Sequence, residues 1–250
     1  MSNNELYDGR AYNYETGRPS YAKNLIDSMY NDFGITRASV IADIGSGTGK
    51  FSRLLLERGS KVLCVEPNQD MRTIAEQELL KYRNFYSICG HAEKTTLQEN
   101  SVDYITSAQA FHWFDTVKFR QECQRIIKRD GKAFLIWNVE DYNNVINQEL
   151  DTIFKKYCPD IKDSKGRAKL DKKIKAFFAR QFEYMSFDYP LIFDQESFIS
   201  KCLSSSYSLK ESDKRYPEYI DDLHTLFDKY EDRGVITIKN STVAFVGAIS

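Results

Sequence analysis

A glycine-rich turn lies between a predicted strand at residues 40–45 and a predicted helix at residues 50–58. The turn reads Gly45-Ser46-Gly47-Thr48-Gly49. Glycine permits a sharp bend and lets a ligand approach the bare backbone. The start of the following helix also offers N–H groups that have no partner within the helix. The segment therefore predicts a ligand-binding turn at the end of a buried strand.

Short apolar runs alternate with longer amphipathic stretches over residues 40–138, as they do in βαβ units. The predicted strands lie at residues 40–45, 62–66, 85–89, 102–107 and 133–138. The predicted helices lie at residues 50–58, 69–81 and 116–128, and Asp130-Gly131 is a predicted turn before the fifth strand. This order predicts an α/β fold with a mostly parallel, doubly wound sheet.

The pattern changes after residue 138, where two helical stripes of apolar residues precede the next strand signal. We predict a helical cap insertion at residues 139–181. Residues 182–250 then contain a sixth strand within 182–193, helices at 195–204 and 217–233, and a final strand or hairpin at 235–249. With an N-terminal arm and helix at residues 1–37 and a ligand-binding core at 38–138, the prediction is a seven-stranded sheet with a cap.

Glu66 ends the second predicted strand, one strand over from the glycine turn. A carboxylate in that place can accept hydrogen bonds from both hydroxyls of a ribose, which predicts a nucleoside site. The dinucleotide fingerprint has the spacing G-x-G-x-x-G, whereas the third glycine here is Gly49, one position earlier. The spacing therefore disfavours a dinucleotide.

Several motifs in order resemble class I S-adenosylmethionine-dependent methyltransferases, which have a Rossmann-like fold. The first motif is Asp43 with the glycine turn, and the second is Glu66-Pro67-Asn68 followed by Met71. The others are Gly90-His91-Ala92-Glu93, Ser101-Val102-Asp103-Tyr104-Ile105 and the segment at residues 125–132. Residues 14–21 and 108–115 are similar to the type 11 small-molecule methyltransferases, in particular the subgroup containing trans-aconitate methyltransferase.

The resemblance implies S-adenosylmethionine as cofactor and a small organic acceptor as substrate. The implied cofactor-binding residues are Asp43, Gly45, Ser46, Gly47, Thr48, Gly49, Glu66, Pro67, Met71, Ala92, Glu93, Gln109 and Arg18. Many relatives have Asp-Ala after the third strand, where this chain has His91-Ala92-Glu93. Tyr14 and Trp113 are candidate substrate contacts, and no metal is implied.

His112 is the candidate general base, because it follows the fourth strand at the carboxyl edge of the sheet. The alternative is that His112 packs the loop or lines the cofactor pocket. Methyl transfer is an in-line displacement that depends mainly on alignment, and an ionised acceptor needs no base.

Composition limits the partners. The 35 basic and 36 acidic residues nearly balance, which argues against nucleic acid as a binding partner.

The sequence contains neither a membrane span nor a secretory signal, so we expect a cytoplasmic protein. The five scattered cysteines predict neither a disulfide framework nor a zinc site. We expect a monomer or homodimer. The basic stretch at residues 162–181 is either a solvated helix face or a rim that attracts an anionic acceptor.

Two other functions remain open. A regulator or partner subunit could keep the nucleoside site without transferring a methyl group. A nicotinamide-dependent oxidoreductase is disfavoured by the missing G-x-G-x-x-G, and enhanced NADH fluorescence would support it.

Overall fold

The computed structural model describes residues 19–158, 165–205 and 208–249. The helices are α1 (Lys23–Asn31), α2 (Lys50–Glu57), α3 (Gln69–Leu79), α4 (Thr116–Ile126), α5 (Val145–Tyr157), α6 (Lys165–Phe177), α7 (Gln195–Leu203) and α8 (Tyr216–Tyr230). The strands are β1 (Val40–Ile44), β2 (Lys61–Val65), β3 (Phe85–Ile88), β4 (Val102–Ala108), β5 (Ile127–Glu140), β6 (Glu183–Asp188), β7 (Leu191–Phe193), β8 (Ile236–Ile238) and β9 (Asn240–Ala248). A short 3₁₀ helix covers Phe111–Trp113.

The main sheet has seven strands in the order β3-β2-β1-β4-β5-β9-β6. Its first five strands run parallel, and β9 is antiparallel to both β5 and β6. The predicted Rossmann-like, mostly parallel sheet is therefore confirmed. From β1 the chain builds the sheet outward through β2 and β3, and then returns to place β4 on the other side of β1. The reversal leaves a crevice at the carboxyl ends of β1 and β4, where ligands of such sheets bind.

Three local features differ from the sequence prediction. The Asp130-Gly131 turn lies inside β5 as a bulge, since Val102 pairs with Ile127 but Tyr104 pairs with Lys132. The segment predicted to hold a sixth strand contains two short strands, because Pro190 separates them and has no N–H to continue a ladder. The predicted final hairpin is also divided, since β8 pairs with β7 in a separate two-stranded sheet whereas β9 joins the main sheet.

The two helices predicted as one cap pack in different places. Helix α5 joins β7, α7, α8 and β8 around an apolar cluster of their own, and we call this group of elements the cap layer. Helix α6 instead packs on the main sheet and on α4, with Phe177 stacked on Phe119 at 5.2 Å between ring centroids. Both helices carry apolar stripes, and a stripe does not specify the surface against which it packs.

Within the described ranges, no helix is long and apolar enough to cross a membrane.

Candidate active site

The glycine turn follows β1 directly. Gly45, Gly47 and Gly49 all have positive φ angles, at 68°, 56° and 82°. The N–H of Gly45 donates to the carbonyl oxygen of Val65 at 2.8 Å, which fixes the turn beside the end of β2. The three glycines have different surroundings. A Cβ on Gly45 would lie 2.6 Å from the Ala110 Cβ, and a Cβ on Gly49 would lie 2.4 Å from the Leu79 Cδ1, whereas a Cβ on Gly47 would meet nothing within 4 Å.

Glu66 follows β2 and holds the turn from the side. Its Oε2 accepts a hydrogen bond from the Gly47 N–H at 3.0 Å, and its Oε1 accepts one from the Asn68 N–H at 2.9 Å. Glu66 is 9% exposed, and burial raises the pKa of its carboxyl group despite these two hydrogen bonds. A carboxylate oxygen has more than one lone pair, so Glu66 can hold the turn and still accept ligand hydroxyls.

Asp43 joins three elements beneath the turn. Its Oδ1 accepts from the Thr106 hydroxyl of β4 at 2.8 Å, and its Oδ2 accepts from the Ser52 hydroxyl of α2. The side chain is almost completely buried, and this burial raises the pKa of the Asp43 carboxyl group to about 6. Asp43 therefore fixes the direction in which the turn leaves β1.

The raised pKa of Asp43 predicts how stability changes with pH. The pKa moves from its ordinary 3.8 to about 6, so between these values the folded chain keeps a proton that the unfolded chain has released. This contribution is fully present below pH 3.8 and is lost as pH rises through 6, lowering the unfolding free energy by about 3 kcal/mol. The Asp43→Asn variant, which has no carboxyl group at this position, should not show this fall in unfolding free energy. Urea unfolding of both proteins between about pH 4 and pH 7 measures the difference, and identical pH dependence would contradict it.

A cleft of about 690 Å³, including its open mouth, lies above these residues. Its first wall consists of Asp43, Gly45, Ser46, Thr48, Lys50 and Phe51. Its second wall consists of Asn138, Glu140, Leu191, Lys201 and Asn240. Ala108, Gln109, Pro19 and Tyr21 complete the lining.

The first wall contains polar atoms without partners. The Ser46 and Thr48 hydroxyls are buried and make no hydrogen bond to any described residue. Buried polar groups are normally paired, so two such groups in residues that line a cleft are consistent with a polar ligand that completes them. The open space at Gly47 lies between them in the sequence. These residues therefore fit a nucleoside-bearing cofactor.

Gln109 lies where β4 meets the cleft. It has a φ of 55°, a conformation that is uncommon outside glycine and that concentrates at functional sites. Its side-chain Nε2 donates to the carbonyl oxygen of Asn138 at 3.2 Å, and its backbone N–H donates to that of Ile136 at 2.9 Å. These bonds hold the end of β4 against the end of β5.

The structure brings together some of the predicted site residues. Asp43, Gly45, Ser46, Thr48 and Gln109 line the cleft, and Gly47 is bonded to Glu66 beside it. The following predicted residues do not line the cleft: Gly47, Gly49, Glu66, Pro67, Met71, Ala92, Glu93, His112 and Trp113. Arg18 and Tyr14 lie outside the described residues.

The predicted residues outside the cleft have other surroundings. Met71 and Ala92 are buried in the core. Glu93 accepts from the Asp115 N–H at 2.8 Å and so tethers the loop after β3 to the loop after β4. His112 is exposed in the 3₁₀ helix, with its ring 4.8 Å from that of Trp113. The carboxyl edge of the sheet is longer than the cleft. A residue that follows β4, such as His112, can therefore lie at this edge without lining the cleft.

Sequence reasoning missed the second wall. Asn138 and Glu140 end β5 at the carboxyl edge of the sheet, and the rule that ligands bind at that edge could have identified them. Lys201 and Asn240 come from α7 and β9, far along the chain, and no local pattern distinguishes them.

The glycine turn, Asp43 and Glu66 all lie in a segment that has known relatives. The model of a family described as methyltransferase domain matches residues 42–135. These residues are therefore similar to a methyltransferase domain. The match begins in β1 and ends in β5, so the matched segment contains the turn, the acid after β2 and the first wall of the cleft.

Relatives in other organisms are similar over the same half of the chain. An uncharacterized methyltransferase of Mycobacterium bovis is 36% identical over 128 residues, which cover 51% of this chain and 50% of that protein. A protein of Saccharomyces cerevisiae, named a probable S-adenosylmethionine-dependent methyltransferase, is 31% identical over 129 residues, covering 50% of this chain and 43% of its own length. The chain thus spans about half the length of such curated relatives.

Solved structures resemble the whole fold. The YcgJ protein of Bacillus has a TM-score of 0.57 at 19% identity, covering 90% of this chain and 98% of that one. A similarity at this level of identity supports the Rossmann-like fold and says nothing about the acceptor. Among the described residues, no group of His, Cys, Asp or Glu could hold a metal ion.

Proposed function

We propose that this protein is an S-adenosylmethionine-dependent methyltransferase that acts on a small organic molecule. The observation that carries the proposal is the turn at Gly47, which has open space where a side chain would be and is bonded to the buried Glu66. The methyltransferase domain match over the same residues supports it. The second wall of the cleft, opposite the glycine turn, offers a place for a small acceptor beside the cofactor. We extend the proposal to the type 11 small-molecule subgroup on the motifs at residues 14–21 and 108–115.

The residues present suggest how the site works. When bound, S-adenosylmethionine supplies a methyl group on a positively charged sulfur, ready for displacement. Glu66 would hold the ribose hydroxyls, and the Ser46 and Thr48 hydroxyls would bind polar atoms of the cofactor. Asp43 and Gln109 keep the ends of β1 and β4 in place, which aligns the reactants. Alignment of this kind is worth roughly 7–11 kcal/mol of the barrier.

Calorimetry with S-adenosylhomocysteine tests the proposal. The wild-type protein should bind it with a dissociation constant on the order of micromolar. Glu66→Gln should weaken binding about tenfold or more, since a neutral amide accepts ribose hydrogen bonds less strongly than a carboxylate. Asp70→Asn, at an exposed acid in the first turn of α3, is the control and should bind like the wild type.

Two outcomes would count against the proposal. A flat titration with the wild-type protein would end it. Tight binding without turnover of any acceptor in a broad panel would favour the non-catalytic regulator instead.

A further inference from the structure

The second wall of the cleft contains an ion pair. The Lys201 ammonium lies 2.7 Å from the Glu140 Oε1, and the two side chains are 10% and 30% exposed. Glu140 is the last residue of β5, whereas Lys201 belongs to α7 in the cap layer. Both residues line the cleft. A buried ion pair contributes little net stability, because the loss of hydration offsets the attraction. Its location in the wall of a cleft therefore suggests a role in ligand recognition.

Asn240 adds a third polar group to this wall. It pairs with Glu140 in the ladder between β5 and β9. Its Nδ2 donates to the carbonyl oxygen of Tyr189 at 3.1 Å, while its Oδ1 is buried without a hydrogen-bond partner among the described residues. An amide oxygen accepts hydrogen bonds, so the group that completes it must be a donor.

The three groups together specify the ligand. Lys201 can bind an anionic oxygen, and Glu140 and the Asn240 Oδ1 can each accept a hydrogen bond. A ligand with a carboxylate alone would offer no hydrogen-bond donor to Glu140 or to the Asn240 Oδ1. A ligand with only donors would leave Lys201 without a new partner. We infer that the second wall binds a small molecule carrying a carboxylate and, next to it, a hydroxyl or amino group. This inference rests on the proposed function only in taking that molecule to be the methyl acceptor.

Three probes with one carbon skeleton separate these contributions. 3-Phenyllactate has a carboxylate and an adjacent hydroxyl, 3-phenylpropionate has only the carboxylate, and 3-phenyl-1,2-propanediol has only hydroxyls. Their shared ring can pack on Leu191 and Tyr21 of the lining. Titrations are done with the full chain, with and without saturating S-adenosylhomocysteine. The wild-type protein should bind phenyllactate about tenfold or more tightly than either other probe.

Variants of Lys201 and Glu140 test whether this ion pair causes the selectivity. Lys201→Met should remove the preference for phenyllactate over the diol, and Glu140→Gln should reduce the preference over phenylpropionate. Lys229→Met is the matched control, because Lys229 forms a 2.7 Å ion pair with Glu149 in the cap layer but does not line the cleft. It should keep the wild-type selectivity. Thermal unfolding checks that each variant is folded, and Glu140→Gln decides the test if Lys201→Met does not fold.

Several results would overturn the inference. They are the absence of binding by all three probes, equal binding of the three, or unchanged selectivity in the variants of the pair. Loss of phenyllactate binding at saturating S-adenosylhomocysteine would also overturn it, because the cofactor itself carries an amino group next to a carboxylate and would then occupy the second wall. A pair that only joins the cap layer to the sheet would lower the unfolding temperature of the variants without changing selectivity. Failure of S-adenosylhomocysteine to bind would instead contradict the proposed function, and the titrations without it would still test the wall.

Discussion

Gly47→Val is expected to abolish binding of S-adenosylhomocysteine while leaving the chain folded. A Cβ at this position would meet no protein atom within 4 Å, so the added side chain would enter open space beside Ser46 and Thr48, where the proposed function places the cofactor. The φ of 56° adds backbone strain of about 1–2 kcal/mol, which a folded domain normally tolerates. Calorimetry should show a loss of affinity of about 100-fold or more, equal to about 2.7 kcal/mol.

Gly234→Val is the control that distinguishes the effect of backbone strain from the effect of filling the space at Gly47. Gly234 lies between α8 and β8, has a φ of 81° and likewise has no atom within 4 Å of its ideal Cβ position. The control therefore introduces the same side chain with similar strain in the loop between α8 and β8 and not in the glycine turn. It should bind S-adenosylhomocysteine like the wild-type protein. Normal affinity in Gly47→Val, or an equal loss in both variants, would remove Gly47 from the cofactor site.

Gly45→Ala is expected to lower stability strongly. The new Cβ would lie 2.6 Å from the Ala110 Cβ and 3.1 Å from the Phe114 Cζ, and residue 45 has a φ of 68°. Ala110 has no flexible side chain that could move aside, so the backbone after β4 must shift. Strain from the left-handed conformation and overpacking together should reduce the unfolding free energy by about 2–5 kcal/mol.

Gly47→Ala is the matched control for this change. It introduces the same methyl group two positions later, at a similar φ but in open space. Its cost should be limited to strain, about 1–2 kcal/mol. Urea unfolding of the two variants and the wild-type protein gives the comparison. Equal destabilisation would show that contact with Ala110 does not explain the glycine at position 45.

The βαβ core was predictable because its signals are local. The turn from β1 into α2 depends on glycines within a few residues, and amphipathic periodicity marks α2, α3 and α4. Glu66 was predictable for a similar reason, since parallel neighbours in a doubly wound sheet bring the ends of β1 and β2 to the same edge. Pairing of Ile44 with Val65 produces this arrangement.

The cap layer and the second wall were not predictable in this way. The stripes of α5 and α6 have the same period, yet α5 packs with α8 and α6 packs on the main sheet. Lys201 and Glu140 meet only because α7 and β5 approach each other across the fold. The hydrophobic effect has no preferred direction, so an apolar stripe on a helix can be buried against any of several surfaces.

Local signals were enough to predict the order of strands and helices in residues 40–138, the glycine turn and the carboxylate next to it. Each of these depends on backbone conformation and periodicity within a short segment. The side chains of the second wall could be identified only in the folded chain, because ion pairs and buried amides between distant segments depend on how the layers pack. It also decided that Gly47 faces open space while Gly45 and Gly49 are closely packed, although the three glycines look alike in the sequence.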